Sequence, residues 1–169
     1  MRILKTGENT MSIEKAKADL AAKGVDLSRV LEFEVSSATV ALAAVAVGCE
    51  EARIAKTLSL RISGETERIL LILAAGDVKI DNAKYKAQFH TKARMLGWDE
   101  AESCTGHAPG GVCPFGVNEG VEVYLDESLR RFETVFPAVG SSNSAIELSI
   151  PELEALSGSL GWVDVCKTA

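Results

Sequence analysis

Twelve consecutive residues, Thr105-Gly106-His107-Ala108-Pro109-Gly110-Gly111-Val112-Cys113-Pro114-Phe115-Gly116, hold four of the chain's 14 glycines, two of its four prolines and one of its two histidines. Glycine admits positive φ and lets a ligand reach the main chain, while proline stiffens the flanks. Such a run can turn several N–H groups into one concave space and so hold a phosphate, a carbonyl oxygen or an attacking water. The same composition also describes a plain surface loop. His107 is the evident general-base candidate; the alternative is an imidazole that only hydrogen-bonds its neighbours. Cys104, His107 and Cys113 are close in sequence, but no fourth ligand is evident and the spacing matches no common zinc pattern, so no metal is expected. Cys113, between Val112 and Pro114, reads as a small buried apolar residue rather than a nucleophile. No Ser-His-Asp or Cys-His set emerges, and His90 reads as a surface residue.

A second candidate is a lysine on an apolar face. In Ile54–Ile62, residues alternate with a period of two, as in a strand. Ile54, Lys56, Leu58, Leu60 and Ile62 share one face, and Ala55, Thr57, Ser59 and Arg61 share the other. Burying an ammonium costs several kcal/mol unless it is paired. Lys56 must therefore reach a partner, a wet cleft or an anionic ligand, or else snorkel out at the sheet rim. A third candidate is Gly140-Ser141-Ser142-Asn143-Ser144, a turn rich in hydroxyl, amide and backbone donors. Alone it would pass for a polar hairpin loop.

The elements that must position these residues are legible in outline. Ser12 can cap a first helix to about Lys23, stopped by Gly24; Ser37 can cap a second, Ala38–Val47, ended by Gly48. Strands are expected at Leu31–Val35, Ile54–Ile62, Ile69–Ala75, near Ala101–Cys104, and at Val121–Leu125, Thr134–Val139, Ala145–Ile150 and Trp162–Cys166. Asp81 or Asn82 can cap a helix to about Met95, Asp126 a short helix, and Pro151 suits the first turn of another. Interspersed helices and strands predict a mixed α/β fold with a mixed sheet. The glycine-rich loop lacks the GxGxxG spacing of a dinucleotide site.

Bulk properties bound the function. At 169 residues the chain suits one domain, expected over 12–169 with 1–11 as an extension. The longest apolar runs fall short of the roughly 20 residues that cross a bilayer, and the N-terminus lacks the apolar core of a secretion signal. No membrane is expected, a cytoplasmic location is the default, and the four cysteines are expected to be reduced. A net charge of −6 argues against a broad basic surface for duplex nucleic acid. The charge is uneven, though. Lys79–Arg94 carries five basic residues against Asp81, whereas Met95–Leu129 has seven acids and no Lys or Arg. The basic strip could meet a short piece of RNA backbone, or be a solvated helix face.

Three segments, Arg53-Ile-Ala-Lys56-Thr-Leu58, Thr105–Gly116 and Gly140-Ser-Ser-Asn-Ser-Ala-Ile-Glu-Leu148, occur in an order and at a spacing that resemble the YbaK/EbsC-type prolyl-tRNA editing domains. The resemblance implies a compact α/β domain around a curved, barrel-like mixed sheet flanked by helices. It implies hydrolysis of the ester joining a wrong amino acid to tRNA, with no cofactor and with mischarged tRNA, and in some cases a synthetase, as partner. Lys56 would lie beside the terminal adenosine and the aminoacyl group. Gly110 would help position the ester or water. Thr105, Gly106, His107, Gly111 and Phe115 would shape the loop, and Gly140, Ser141, Ser142 and Asn143 would close the pocket's other side. The chain's length leaves no room for synthetase machinery, so action in trans is expected. Cysteine-removing members commonly carry an acid and a serine where Ala145 and Ala138 stand here. That departure makes alanine, serine or threonine at least as good a candidate as cysteine. The competing readings are a non-catalytic module of the same fold that binds tRNA ends or a synthetase, and a small-molecule ester or thioester hydrolase.

Overall fold

The computed structural model describes residues 2–169, with side chains from Ser12 onward. In chain order, α1 (Arg2–Ala22) leads through β1 (Val30–Glu32) to α2 (Val40–Val47), then to β2 (Ala55–Ile62) and β3 (Arg68–Ala75). Next come β4 (Val78–Ile80), α3 (Asn82–Phe89), α4 (Ala101–Thr105) and β5 (Glu122–Asp126). A 3-10 turn at Glu127–Arg131 precedes β6 (Thr134–Val135), β7 (Ser144–Ile146), β8 (Leu148–Ser149), α5 (Ile150–Leu156), β9 (Gly161–Val163) and β10 (Cys166–Thr168).

The sheet grows around β3, whose unbroken apolar run suits a strand covered on both faces. Leu70 to Ala75 are completely buried. β2 pairs antiparallel with β3, from Ala55–Ala75 to Ile62–Arg68, while β3–β5 and β5–β9 are parallel. The result is a mixed four-stranded sheet in the order β2-β3-β5-β9. The remaining strands form three antiparallel two-stranded ribbons, β1–β7, β4–β10 and β6–β8. The fold is thus the expected mixed α/β domain. Among the described residues the strands do not join into one closed barrel.

Several boundaries differ from expectation for local reasons. α1 begins at Arg2, so Ser12 lies within the helix instead of capping it. No proline interrupts residues 2–11 to stop it. Thr39, not Ser37, caps α2 by accepting from the Leu42 amide. The helix expected to reach Met95 stops at Phe89, where His90 adopts the left-handed conformation. The chain beyond it is captured by the free edge of β2: the Arg61 amide donates to the Arg94 carbonyl at 2.9 Å, and the Leu96 amide to the Ser59 carbonyl at 2.9 Å. Ala101–Cys104, expected as a strand, belongs to helix α4, with the Thr105 hydroxyl donating back to the Ala101 carbonyl at 2.7 Å. The expected caps at Asp81 and Asp126 and the expected Pro151 in the first turn of the last helix are present, and Ser149, not foreseen, caps that helix in a reciprocal capping box with Glu152.

Two glycines let three backbone segments meet. A Cβ on Gly140, at φ +80°, would lie 2.4 Å from the Ser12 carbonyl oxygen of α1. A Cβ on Gly111 would lie 2.7 Å from the backbone of Gly140 and Ser141. Helix, turn and loop are stacked with no room for a side chain between them. Gly48 also has positive φ, +82°, but open space around it. Gly140→Ala is therefore expected to lose at least about 2 kcal/mol, strain plus overpacking. Gly48→Ala should lose only about 1 kcal/mol, from strain alone. Urea denaturation of both variants checks the difference.

Candidate active site

A cavity of about 290 Å³ opens against the start of β2. Ala55, Lys56, Thr57 and Ser59 of that strand border it. Ser37 to Val40 and Ala43, at the start of α2, form a second side, and Leu96-Gly97-Trp98 a third. Pro109, Gly110 and Val112 of the glycine-rich loop meet Phe136, Ala138, Ser144 and Ala145 across it. Lys56 and the Pro-Gly step, 54 positions apart in sequence, thus border one space. The β2 alternation explains the polar wall: Thr57 and Ser59 share a face, and Leu58 and Leu60 turn to the main core. Thr57 Oγ1 is buried with no hydrogen-bond partner among the described residues. It is a hydroxyl available to a ligand.

Lys56 is partly buried, and its ammonium donates to the Val78 carbonyl at the start of β4. Burial pulls its pKa below the usual lysine value, while the nearby Cys166 and Asp77 act in the opposite direction. The amine has the partner that its position in the strand demanded, and that partner is a carbonyl rather than a carboxylate. Arg53 sets the neighbouring wall. Its guanidinium lies 5.1 Å from the Phe136 ring centroid, and it donates to the Thr134 carbonyl at 3.2 Å and to Glu147 at 3.1 Å. Glu147 is exposed, as the strand alternation requires.

The other loop residues stand behind the wall. His107 is completely buried. Its Nε2 faces the Phe115 carbonyl, so that nitrogen must carry the proton, and Nδ1 accepts from the Ser12 hydroxyl at 2.8 Å. Burial lowers its pKa, against the Phe115 hydrogen bond, which raises it. The imidazole is neutral and spent on two internal partners. Thr105 receives the His107 amide at 3.2 Å, Gly106 caps α4 at φ +93°, and Phe115 is wholly in the core. Cys113 is buried beside His107, its thiol pushed up to about 12 by desolvation. The Cys104 thiol instead faces Arg61, 3.7 Å away, so the three residues considered for a metal do not converge.

Gly140 to Asn143 act through backbone and side chains together. The Ser142 carbonyl accepts from the Ser37 amide at 2.6 Å. Asn143 accepts from the Phe33 amide and returns its own Nδ2–H to the Phe33 carbonyl, both at 2.8 Å. Ser141 donates to Ser144 Oγ at 2.8 Å. The turn therefore holds Phe33–Ser37, the segment leading into the cavity wall. Of the residues singled out in the sequence, Lys56, Pro109, Gly110, Val112, Ala138, Ser144 and Ala145 border the cavity, whereas Thr105, Gly106, His107, Gly111, Phe115 and Gly140 to Asn143 do not line it. Thr57, Ser59, Thr39, Phe136 and Trp98 border it without having been singled out. Period-two alternation could have marked Thr57 and Ser59, had it been known which face of β2 is open.

Comparison with known proteins decides the family. The model of the aminoacyl-tRNA editing domain matches residues 34–156. The chain belongs to the aminoacyl-tRNA editing domain family. The uncharacterized protein YwhH of Bacillus subtilis (strain 168) is 58% identical over 138 residues, covering 82% of this chain and 87% of that protein. A solved structure described as a candidate trans-editing enzyme for prolyl tRNA synthetase is 29% identical, with a TM-score of 0.80 over 92% of this chain and 97% of that one. The hypothetical protein APE2540 is 25% identical, with a TM-score of 0.78 over 90% and 99% of the two chains. The editing-domain match spans α2, β2, the glycine-rich loop and the Gly140 turn, but not α1, which braces the loop from behind.

The state of His107 has a measurable consequence. An unfolded chain takes up a proton at histidine near pH ~6.5, whereas the buried imidazole resists it. The folded pKa is depressed, so this contribution to stability is present above the unfolded pKa and lost as pH falls through ~6.5 toward the folded value. The urea midpoint is expected to drop between pH 7.5 and 5.5. In His107→Gln, already less stable at pH 7.5, that drop should be shallower.

Proposed function

We propose that the protein is a free-standing aminoacyl-tRNA deacylase that acts in trans. It hydrolyses the ester joining alanine, serine, threonine or cysteine wrongly to tRNA(Pro) or to another tRNA, with a synthetase as a possible source of the charged substrate. The observation that carries this reading is that Lys56 and the Pro109–Gly110 step border one small cavity in a chain of the editing-domain family. The similar structure described as a candidate trans-editing enzyme, which this chain spans almost entirely, supports action in trans. A tRNA substrate would make the cytoplasm its place of work, and no helix among the described residues is long and apolar enough to cross a membrane.

The chemistry needs little from side chains, because an aminoacyl ester is already activated. Water adds to the ester carbonyl, the tetrahedral oxyanion collapses, and the ribose oxygen leaves with a proton. Catalysis then requires a located water and donors aimed at the developing negative charge. Lys56 supplies a cationic donor, exchanging the Val78 carbonyl for the substrate. The backbone of the Gly106–Gly111 loop, at Gly110 above all, helps locate the ester and the water. Thr57 Oγ1 offers its unused hydrogen bond to the aminoacyl or ribose moiety. Ala138 and Ala145, both in the cavity wall, keep that side small and apolar.

One observation favours a second reading, a non-catalytic module that binds tRNA ends or a synthetase: the ammonium is already engaged by a protein carbonyl. A panel of mischarged tRNAs separates the two. The wild type is expected to deacylate at least one member, and Lys56→Ala to be slower by about 10²-fold or more, as for loss of a charge-stabilising donor. Hydrolysis of none removes the enzymatic reading; undiminished turnover by Lys56→Ala removes the site. Because burial lowers the Lys56 pKa, enzyme-dependent turnover should fall on an alkaline limb that begins below the usual lysine value of ~10.4. Thr57→Val should leave the urea midpoint unchanged or raised, since the hydroxyl has no protein partner, yet weaken kcat/KM.

A further inference from the structure

Trp98 borders the cavity, yet 79% of it is exposed. A lone exposed aromatic is ordinary on a protein surface, but one that borders a cavity offers a flat apolar face to whatever part of a ligand the cavity leaves outside. Its exposure does not come from a loose loop. The Leu96 amide is tied to the Ser59 carbonyl of β2 at 2.9 Å. On the other side the Glu100 amide donates to the Gly97 carbonyl at 3.0 Å, and Glu100 returns a carboxylate oxygen to the Gly97 amide at 3.2 Å. The second Glu100 oxygen is held by Arg61 at 2.6 Å. The backbone on both sides of the indole is braced, and the ring stands at the mouth.

The size of the cavity says what would cover it. About 290 Å³ is at the lower limit of small-molecule sites, ~300–1,000 Å³. An aminoacyl ester with its ribose can enter, while the attached nucleobase is left at the rim, where the indole is. The basic residues that precede Trp98 on the segment running along the β2 edge suit a phosphodiester leading away from that rim. Lys92 and Arg94 are exposed and have no ion-pair partner among the described residues. Of the acids beside Trp98, Glu100 is paired with Arg61, and Asp99 is the exposed one. We infer that Trp98 is the stacking platform for the unpaired terminal base of the RNA, with Lys92 and Arg94 positioned for the phosphates that precede it. The inference rests on the editing reading for its substrate, but the ring can be tested apart from catalysis.

Stacking on an aromatic side chain tolerates any base and is lost on truncation to alanine. On a mischarged tRNA, Trp98→Ala is expected to lower kcat/KM about ten-fold or more, chiefly through KM, and Trp98→Phe to retain most of it. On the same substrate with an abasic terminal nucleotide, Trp98→Ala and wild type should be equal. Trp162→Phe leaves Trp98 as the sole indole. In that background an uncharged RNA trinucleotide should quench the fluorescence, and its abasic counterpart should not. Equal kcat/KM for Trp98→Ala and wild type on the complete tRNA, or quenching indifferent to the base, overturns the proposal. A loss that appears only when a protein partner delivers the substrate also overturns it and assigns the ring to that partner. Failure to deacylate any charged tRNA counts against the editing reading alone, since quenching by the trinucleotide still decides the stacking.

Discussion

The loop that forms one wall of the cavity has few side chains of its own to brace it, so its shape depends on His107. The imidazole bridges the Ser12 hydroxyl of α1 and the Phe115 carbonyl at the far end of the same loop. Gly116 continues the attachment: its amide donates to Asp19 at 3.0 Å, and its α-carbon packs on the α1 backbone near Lys15. Gly140 packs on the same helix at Ser12, and Gly111 packs on Gly140 and Ser141. The wall is thus a stack of main chains on a helix, held by a neutral imidazole and by the absence of β-carbons. A charged imidazole in this place would have to be desolvated without a counter-charge, which is why burial and neutrality go together.

Opposite this stack the constraint is the burial of β3. A strand covered on both faces fixes β2 beside it, and the β2 pleat then sends Leu58 and Leu60 to the core and Thr57 and Ser59 to the cavity. Lys56 is the exception in that pattern. It borders the cavity at the start of β2, but its amine has found a carbonyl on β4. A hydrogen bond to a neutral acceptor returns part of the solvation that an ammonium loses on burial, and Asp77 acts on it only from beyond contact, held by Arg131.

Charge is distributed in keeping with such a site. Ten ion pairs among the described residues lie on the surface or at its margin, and several join elements distant in sequence, such as Arg29–Glu152 and Arg68–Glu122. They neutralise much of the basic complement. Lys79, Lys86, Lys92 and Arg94 of the basic strip are exposed outside these pairs, whereas Lys84 is held by Asp164 at 2.9 Å. A chain of net charge −6 therefore still carries, between Lys79 and Arg94, exposed basic residues outside the ion pairs found among the described residues.

The mixed α/β class, the buried β3 run, the caps at Asp81 and Asp126, Pro151 in the first turn of α5, and the two residue groups around Lys56 and Gly110 were all legible in the amino-acid order, because each depends on local spacing or on a single residue's chemistry. Helix limits were less so. α1 runs past Ser12, and α3 gives way at His90 to a segment that pairs with the β2 edge, since tertiary hydrogen bonds outweigh a weak capping preference or helix propensity. The roles of His107, Phe115 and Ser141–Asn143 as braces, and the presence of Thr57, Phe136 and Trp98 in the wall, come from contacts between residues tens of positions apart. By itself the sequence determined which groups are available and which strand face each occupies. Only the tertiary structure decided which face opens to the cavity, where the lysine's proton-bearing nitrogen points, and which glycines are there for contact rather than for chemistry, because those depend on what another segment of chain brings within a few ångströms.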